Sequence, residues 1–387
     1  MRLSIRGFRV WQIISYRLAF ALGDLKIVIP IWNKKFAPRS LIEYESLLLK
    51  GDAIGTKLIT DFEEQTAEIW GRQFALLCSS GTGALLAALF YLKEQLFSDI
   101  SLPSTTWVAN LNTALVVGMT PHFRETDPTT LLAKPDSNEI CSGDRRLLSE
   151  IIHISGRLSD LRGISKNKIL EDFSQGHYSV MPDGRLAGTL GSISVASTSV
   201  TKALSTVHGG IILTDDPEAA RWMREFIKNG VDSNLVEAWN HIGLNFKPNG
   251  ANASIGLHEL QVRTSVVEKL FLTKSLYVRY LPNCSGCSII DHLPGEVPLY
   301  IEVLCSKAKG LLGHLKLKGI QCKAPPPPLF SADYVTYQPE HGGSREHACN
   351  QHLAWRDQVL MLPSGPDLSE DMIKVVCKEI RDYLRAG

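Results

Sequence analysis

The sequence predicts an α/β protein, a sheet with helices on both faces, followed by a smaller α+β unit. Short apolar runs alternate with amphipathic segments from about residue 60, turn residues punctuate them, and the texture changes after about residue 265. At 387 residues the chain has the length for two lobes with substantial cores.

Residues 62–71, FEEQTAEIWG, read as a charged amphipathic helix, and 74–80, FALLCSS, as a short apolar strand. GTGALLAALFYLKEQL (81–96) is helical, and PHFRETD (121–127) closes the next unit as a strand. SEIIHISG (149–156), KILED (168–172) and GGIILTDD (209–216) are short β-type runs bounded by turn residues, while PEAARWMREFIKNG (217–230) is a helix. In the second unit VPLYIEVLC (297–305) and VLMLP (359–363) are strands, and KAKGLLGHLKLKGI is a helix ending at Gly319. SEDMIKVVCKEIRDYL (369–384) is a helix with Ser369 at its N-cap and Glu370 and Asp371 in its first turn. Pro325 to Pro328 read as a rigid surface turn. The expected division is an N-terminal extension 1–35, a large unit 36–265 and a small C-terminal unit 266–387.

Composition excludes several classes. Hydrophobic residues make up 44% and charged residues 21%, which argues against a disordered chain. Lys plus Arg number 41 against 40 Asp plus Glu, so nothing marks a nucleic-acid binder. Of the eight cysteines only Cys284 and Cys287 form a CxxC, with no second pair to complete a four-sulfur zinc site. No metal is expected, and the thiols suit a reducing cytoplasm. Residues 8–31 are apolar, but Arg9, Arg17, Asp24 and Lys26 interrupt them, so a span is not expected. Arg2, Arg6, Arg9 and Arg17 beside Trp11, Ile13, Ile14 and Phe20 would suit an interfacial helix, although packing on the body or on a partner subunit is favoured.

Three segments carry chemistry. Ser79-Ser80-Gly81-Thr82-Gly83 sits between a strand and a helix, where small residues let backbone N–H groups and hydroxyls close around a phosphate. It is neither a Walker loop nor a GxGxxG fingerprint, so ATP and NAD gain no support. Asp172 ends the KILED strand, where open α/β sheets bind ligands; it either caps a helix or meets a cation such as a protonated pyridine nitrogen. Lys202 stands among small residues before His208-Gly209-Gly210, and is either a solvated surface charge or an amine desolvated for Schiff-base chemistry.

In their order of phosphate cradle, strand-end acid and lysine, with Lys202 standing 30 positions after Asp172, these motifs resemble the DegT/DnrJ/EryC1/StrS family of pyridoxal-phosphate-dependent sugar aminotransferases. The resemblance covers roughly residues 45–385. It implies fold type I, with a mixed, mostly parallel sheet in the large domain. Ser80, Gly81 and Thr82 match the family's Ser-Gly-Thr phosphate cradle, and Ser197 its phosphate-binding Ser five residues before the Schiff-base lysine, Lys202. Trp107, in PSTTWVA, corresponds to the aromatic that stacks on the pyridine ring. Glu171-Asp172 and Gln175 match the acid–x–x–Gln element, with Asp172 on the ring nitrogen and Gln175 near the ring hydroxyl. His153-Ile154-Ser155-Gly156 resembles the family's strand and turn, and Gly243-Leu244-Asn245-Phe246-Lys247 its segment that reaches the neighbouring subunit's site. Asn245 is thereby implied as a phosphate contact across a homodimer with shared active sites.

The sequence also departs from the family's pattern. Thr198-Ser199-Val200-Thr201 replaces its Phe-His-Pro-type run, His208 replaces an acidic residue before the Gly-Gly, and Lys247-Pro248 replaces Arg-Met. His208 and Lys247 therefore become candidate substrate contacts. The resemblance implies transamination from glutamate or glutamine to a keto sugar, expected to be nucleotide-linked, by a cytoplasmic enzyme whose catalytic residues are Lys202 and Asp172. A keto-cyclitol aminotransferase shares these motifs. A sugar dehydratase of the family has His in place of the lysine in its best-known members, and a non-catalytic member would lose Lys202 or Asp172.

Overall fold

The computed structural model describes residues 28–133, 146–159, 164–231, 241–282, 286–335 and 355–386. Residues 1–27, with the charged and apolar side chains of the extension, lie outside the described residues, as do Cys141, Cys284 and Cys349.

The large unit is built on β1 (Phe74–Cys78), β2 (Asp99–Pro103), β3 (Thr120–Arg124), β4 (Leu147–Ile152), β5 (Ile169–Asp172), β6 (Ile193–Ser197) and β7 (Gly210–Thr214). They form one sheet in the order β1-β7-β6-β5-β4-β2-β3. The pairs from β6 through β5, β4 and β2 to β3 are parallel, whereas β7 is antiparallel to both β6 and β1. Two successive reversals return β1 to the direction of β6. The C-terminal ends of β1, β2, β4, β5 and β6 therefore share one edge with the N-terminal end of β7.

Side-chain alternation gives this sheet two apolar faces. Leu76, Leu170, Val195 and Ile212 pack on one face, while Ala75, Leu77, Ala196, Ile211 and Leu213 pack on the other. Helices α1 (Ile42–Leu49) and α2 (Thr56–Trp70) precede β1; α3 (Gly81–Glu94) and α4 (Val108–Val117) flank β2; α5 (Pro217–Phe226) follows β7. The first face is covered by α3, α4 and α5 through Leu85, Leu89, Leu111, Ala114 and Phe226. The second is covered by α2 and by α6 (Gly250–Gln261) through Phe62, Trp70, Ala253 and Leu257.

Helix α7 (Arg263–Tyr280) gives Val266 and Leu270 to that second core and Leu276 and Tyr277 to the C-terminal one. The C-terminal unit has a three-stranded antiparallel sheet of β8 (Cys287–Ile289), β9 (Ile301–Cys305) and β10 (Val359–Leu362), with β9 central. Helices α8 (Ala308–Leu317) and α9 (Glu370–Ala386) pack on it through Leu311, Leu315, Ile373, Val376 and Ile380. Ser369 accepts the Met372 N–H at 3.3 Å, as its N-cap position requires.

Two local expectations change. Residues 297–300 do not extend β9, because Val297 and Leu299 donate their N–H groups to Ser179 Oγ and the Ser155 carbonyl of the large unit. The proline run is no surface turn either: Pro325 and Pro328 are buried, the Pro325 carbonyl accepts from Arg356 Nε at 2.7 Å, and Leu329 N–H donates to the Ser104 carbonyl. Residues 28–35, grouped by sequence with the extension, run along the C-terminal unit. Ile29 N–H donates to the Gly319 carbonyl and Asn33 N–H to the Ser364 carbonyl.

Candidate active site

A cavity of about 510 Å³ opens at the edge where those strand ends meet. Ser80, Gly81, Thr82, Trp107, Asp172, Gln175, Ser197, Lys202 and His208 all line it. Nine of the eleven candidate site residues, far apart in sequence, therefore share one space. Asn245 and Lys247 do not line it; both are exposed on the loop behind α3.

The turn after β1 has the free N–H donors that an anion site needs. Ser80 is the N-cap of α3, and its Oγ accepts the Gly83 N–H at 3.0 Å. The N–H groups of Gly81 and Thr82 begin the helix, where no intrahelical acceptor exists and the macrodipole is positive. Gly81 is required by crowding: a Cβ there would lie 2.7 Å from Ser197 Cβ and 2.9 Å from Ser197 Cα. That contact seats the end of β6 against the cradle, so Ser197 lines the cavity beside it.

Lys202 is held on a closed loop between β6 and β7. Thr198 N–H donates to the Gly209 carbonyl, Thr206 N–H to the Thr198 carbonyl, and the two threonine hydroxyls meet at 2.7 Å. Lys34 reaches in from the N-terminal segment, donating to the Ala203 carbonyl at 2.7 Å while paired with buried Glu259. Tyr300 of the C-terminal unit donates to the Thr201 carbonyl at 3.2 Å. Three parts of the chain thus fix the backbone around one amine. Burial lowers the Lys202 pKa, against the opposing pull of Asp172's charge, so more neutral amine is present than in a solvated lysine.

Asp172 is buried at the end of β5. Oδ1 accepts the Ser174 N–H at 2.8 Å and Oδ2 accepts from Asn110 Nδ2 at 3.0 Å. No helix starts after Asp172, so it caps a turn and still presents its carboxylate to the cavity. Its neighbour Glu171 points to the opposite face and does structural work. Burial acts to raise the Glu171 pKa, but His153 at 3.0 Å and the N–H groups of Gly188 and Gly191 hold it below the usual carboxylate range. Gln175 Oε1 accepts the Ser155 N–H at 2.9 Å, which leaves its NH₂ as a donor. Trp107 precedes α4 at the cavity mouth, 68% exposed, with an aromatic face available for stacking.

Sequence reasoning missed Asn110, Glu302 and Trp355, which also line the cavity. Asn110 carried a usable signal, a polar residue within the apolar helix VANLNTALVV. Glu302 carried none: its partners Arg157 (2.9 Å) and Ser155 lie 145 and 147 residues away in the chain.

The sequence pattern of the DegT/DnrJ/EryC1/StrS aminotransferase family matches residues 41–381. GDP-perosamine synthase of Escherichia coli O157:H7 is 24% identical over 369 residues, covering 92% of this chain and 98% of that protein. GDP-perosamine synthase of Caulobacter vibrioides is 27% identical over 215 residues, 53% of this chain and 57% of that protein. Among solved structures, E. coli GDP-4-keto-6-deoxy-D-mannose-3-dehydratase with bound hydrated PLP has the same fold at 18% identity. Its TM-score is 0.79, over 92% of this chain and 100% of that one.

Proposed function

This chain belongs to the DegT/DnrJ/EryC1/StrS aminotransferase family, and we propose that it moves an amino group from glutamate or glutamine to a keto sugar carried on a nucleotide. The observation that carries this reading is the convergence of Lys202, Asp172 and the Ser80–Thr82 helix terminus on one cavity.

The donor set fits pyridoxal phosphate, the family's cofactor. The Gly81 cradle, which any Cβ would fill, and the Ser80, Thr82 and Ser197 hydroxyls suit its phosphate. Asp172 would hold its ring nitrogen, the Gln175 NH₂ its ring hydroxyl, and Trp107 its ring face. When bound, the cofactor supplies an amine-reactive carbonyl and an electron-accepting ring. Lys202 would hold that carbonyl carbon between turnovers; once released, its Nζ would take the proton from the donor's α-carbon and return it to the product. A dehydratase is disfavoured because Lys202, not histidine, stands at this position. Exposed His208 at the cavity rim is part of the proposal as a sugar contact, and so is the domain division at residues 35 and 265.

The test is a panel of nucleotide-linked keto sugars and keto cyclitols, incubated with glutamate or glutamine and read by mass spectrometry. Nitrogen in place of a keto oxygen on a nucleotide sugar supports the reading. Amination of cyclitols alone transfers it to that class, and loss of a hydroxyl without nitrogen gain makes the chain a dehydratase.

A homodimer with shared sites belongs to the same proposal. The loop 243–247 is fixed behind the cradle, since Ser79 N–H donates to the Phe246 carbonyl and Phe246 packs on Gly83, yet Asn245 and Lys247 are exposed and do not line their own cavity. Leu49, Ile54, Trp107, Val108 and Ile242 are exposed apolar side chains that a second copy would cover. Lys202→Ala and Asn245→Ala chains, each nearly inactive, should regain partial activity when refolded together, because one mixed site is then intact. Heterodimers without recovered activity would refute sharing. Among the described residues no helix is long and apolar enough to cross a membrane, and a cytoplasmic location remains part of the proposal.

A further inference from the structure

Glu150 is a fully buried carboxyl that the proposed chemistry does not use. The register of β4 on β5 pairs Glu150 with Leu170 and Ile152 with Asp172. Glu150 and Asp172 are therefore diagonal neighbours on the same face of the sheet. Helix α4 covers that face and inserts Asn110 between them. Asn110 Nδ2 donates to Glu150 Oε1 at 2.5 Å and to Asp172 Oδ2 at 3.0 Å, which uses both of its N–H groups.

Glu150 Oε2 has no hydrogen-bond partner. Arg124, at the end of β3, attracts the carboxyl by its charge but donates Nη2 to the Glu150 backbone carbonyl. From the other side Lys202 interacts with Asp172, while Glu171 and His153 pair with each other. An ionised Glu150 would thus be a second buried negative charge beside Asp172, satisfied by a single amide hydrogen. As a neutral acid it keeps the same hydrogen bond from Asn110 without that repulsion.

We propose that Glu150 is a positioning residue for Asp172: in its neutral form it anchors the Asn110 amide against Asp172, so that one negative charge, and not two, stands behind the ring nitrogen. The consequence for the cofactor rests on the pyridoxal phosphate reading; the protonation of Glu150 does not. Burial first, and then the charge of Asp172, push the Glu150 pKa up to about 8. The unfolded chain releases this proton near pH ~4.3. The folded state holds more protons between the two values, so this group makes stability fall as pH rises from about 4.3 to about 8.

Glu150→Gln and Glu150→Leu test this in the full chain. Without cofactor, wild-type Tm should fall more steeply than that of Glu150→Gln between about pH 6 and about pH 8, and the infrared band of a protonated carboxyl at neutral pH should diminish in Glu150→Gln. With cofactor, Glu150→Gln should bind within about twofold of wild type at neutral pH and lose an inflection near pH 8. Glu150→Leu, which strands the amide, should bind at least about tenfold more weakly. Superimposable pH profiles of wild type and Glu150→Gln without cofactor, or equal cofactor affinity in the Gln and Leu variants, would overturn the proposal. A wild-type protein that fails to bind pyridoxal phosphate would instead overturn the cofactor reading, with the cofactor-free titration still deciding the protonation of Glu150.

Discussion

Lys202→Ala is expected to lower kcat by at least about 10³-fold, because one amine serves both as covalent anchor and as proton carrier. The fold should survive. The loop around residue 202 is closed by Thr198, Thr206, Gly209 and the Lys34 and Tyr300 contacts, and none of these uses the Lys202 side chain. Burial already disfavours the ammonium, so its removal should leave Tm unchanged or slightly raised. Steady-state kinetics with a thermal melt separates this outcome from misfolding, and partial rescue by a small alkylamine would identify the missing group as the amine.

Asp172→Asn should lower kcat about 10²- to 10³-fold, the scale of removing one preorganised charge partner from a developing charge. Two physical effects combine. An amide cannot balance the positive charge of a protonated ring nitrogen, and it also conflicts with its surroundings. The carboxylate accepts from Ser174 N–H on one oxygen and from Asn110 Nδ2 on the other, so either orientation of an asparagine brings a donor against a donor. Cofactor affinity, measured by equilibrium dialysis, should fall together with kcat. An activity near wild type would assign Asp172 to the Ser174 turn and not to the chemistry.

Where one stretch of chain holds the information, the sequence was readable. KILED and GGIILTDD are short apolar runs with turn residues beyond them, and they form β5 and β7 near the expected bounds. Position at a strand end was enough to single out Asp172, and the Ser-Gly-Thr turn marks the cradle because α3 starts there. Local pattern could not reveal pairing. The antiparallel insertion of β7 between β1 and β6 depends on contacts across the sheet, and so does the Glu150–Asn110–Asp172 cluster, whose members lie 40 and 62 residues apart along the chain. The proline run differs from its expected place for a related reason. Composition reports stiffness, whereas its burial is set by Ser104 and Arg356. Asn245 lies outside the cavity of its own chain, so the phosphate contact proposed for it would need a second copy.

Everything proposed for the cavity depends on Lys202 being the residue that holds the cofactor. Borohydride reduction of the protein loaded with pyridoxal phosphate, followed by peptide mapping, identifies that residue. A pyridoxyl label is expected on Lys202; a label on Lys34, Lys168 or Lys247, or no label on a protein that has bound the cofactor, would overturn that assignment.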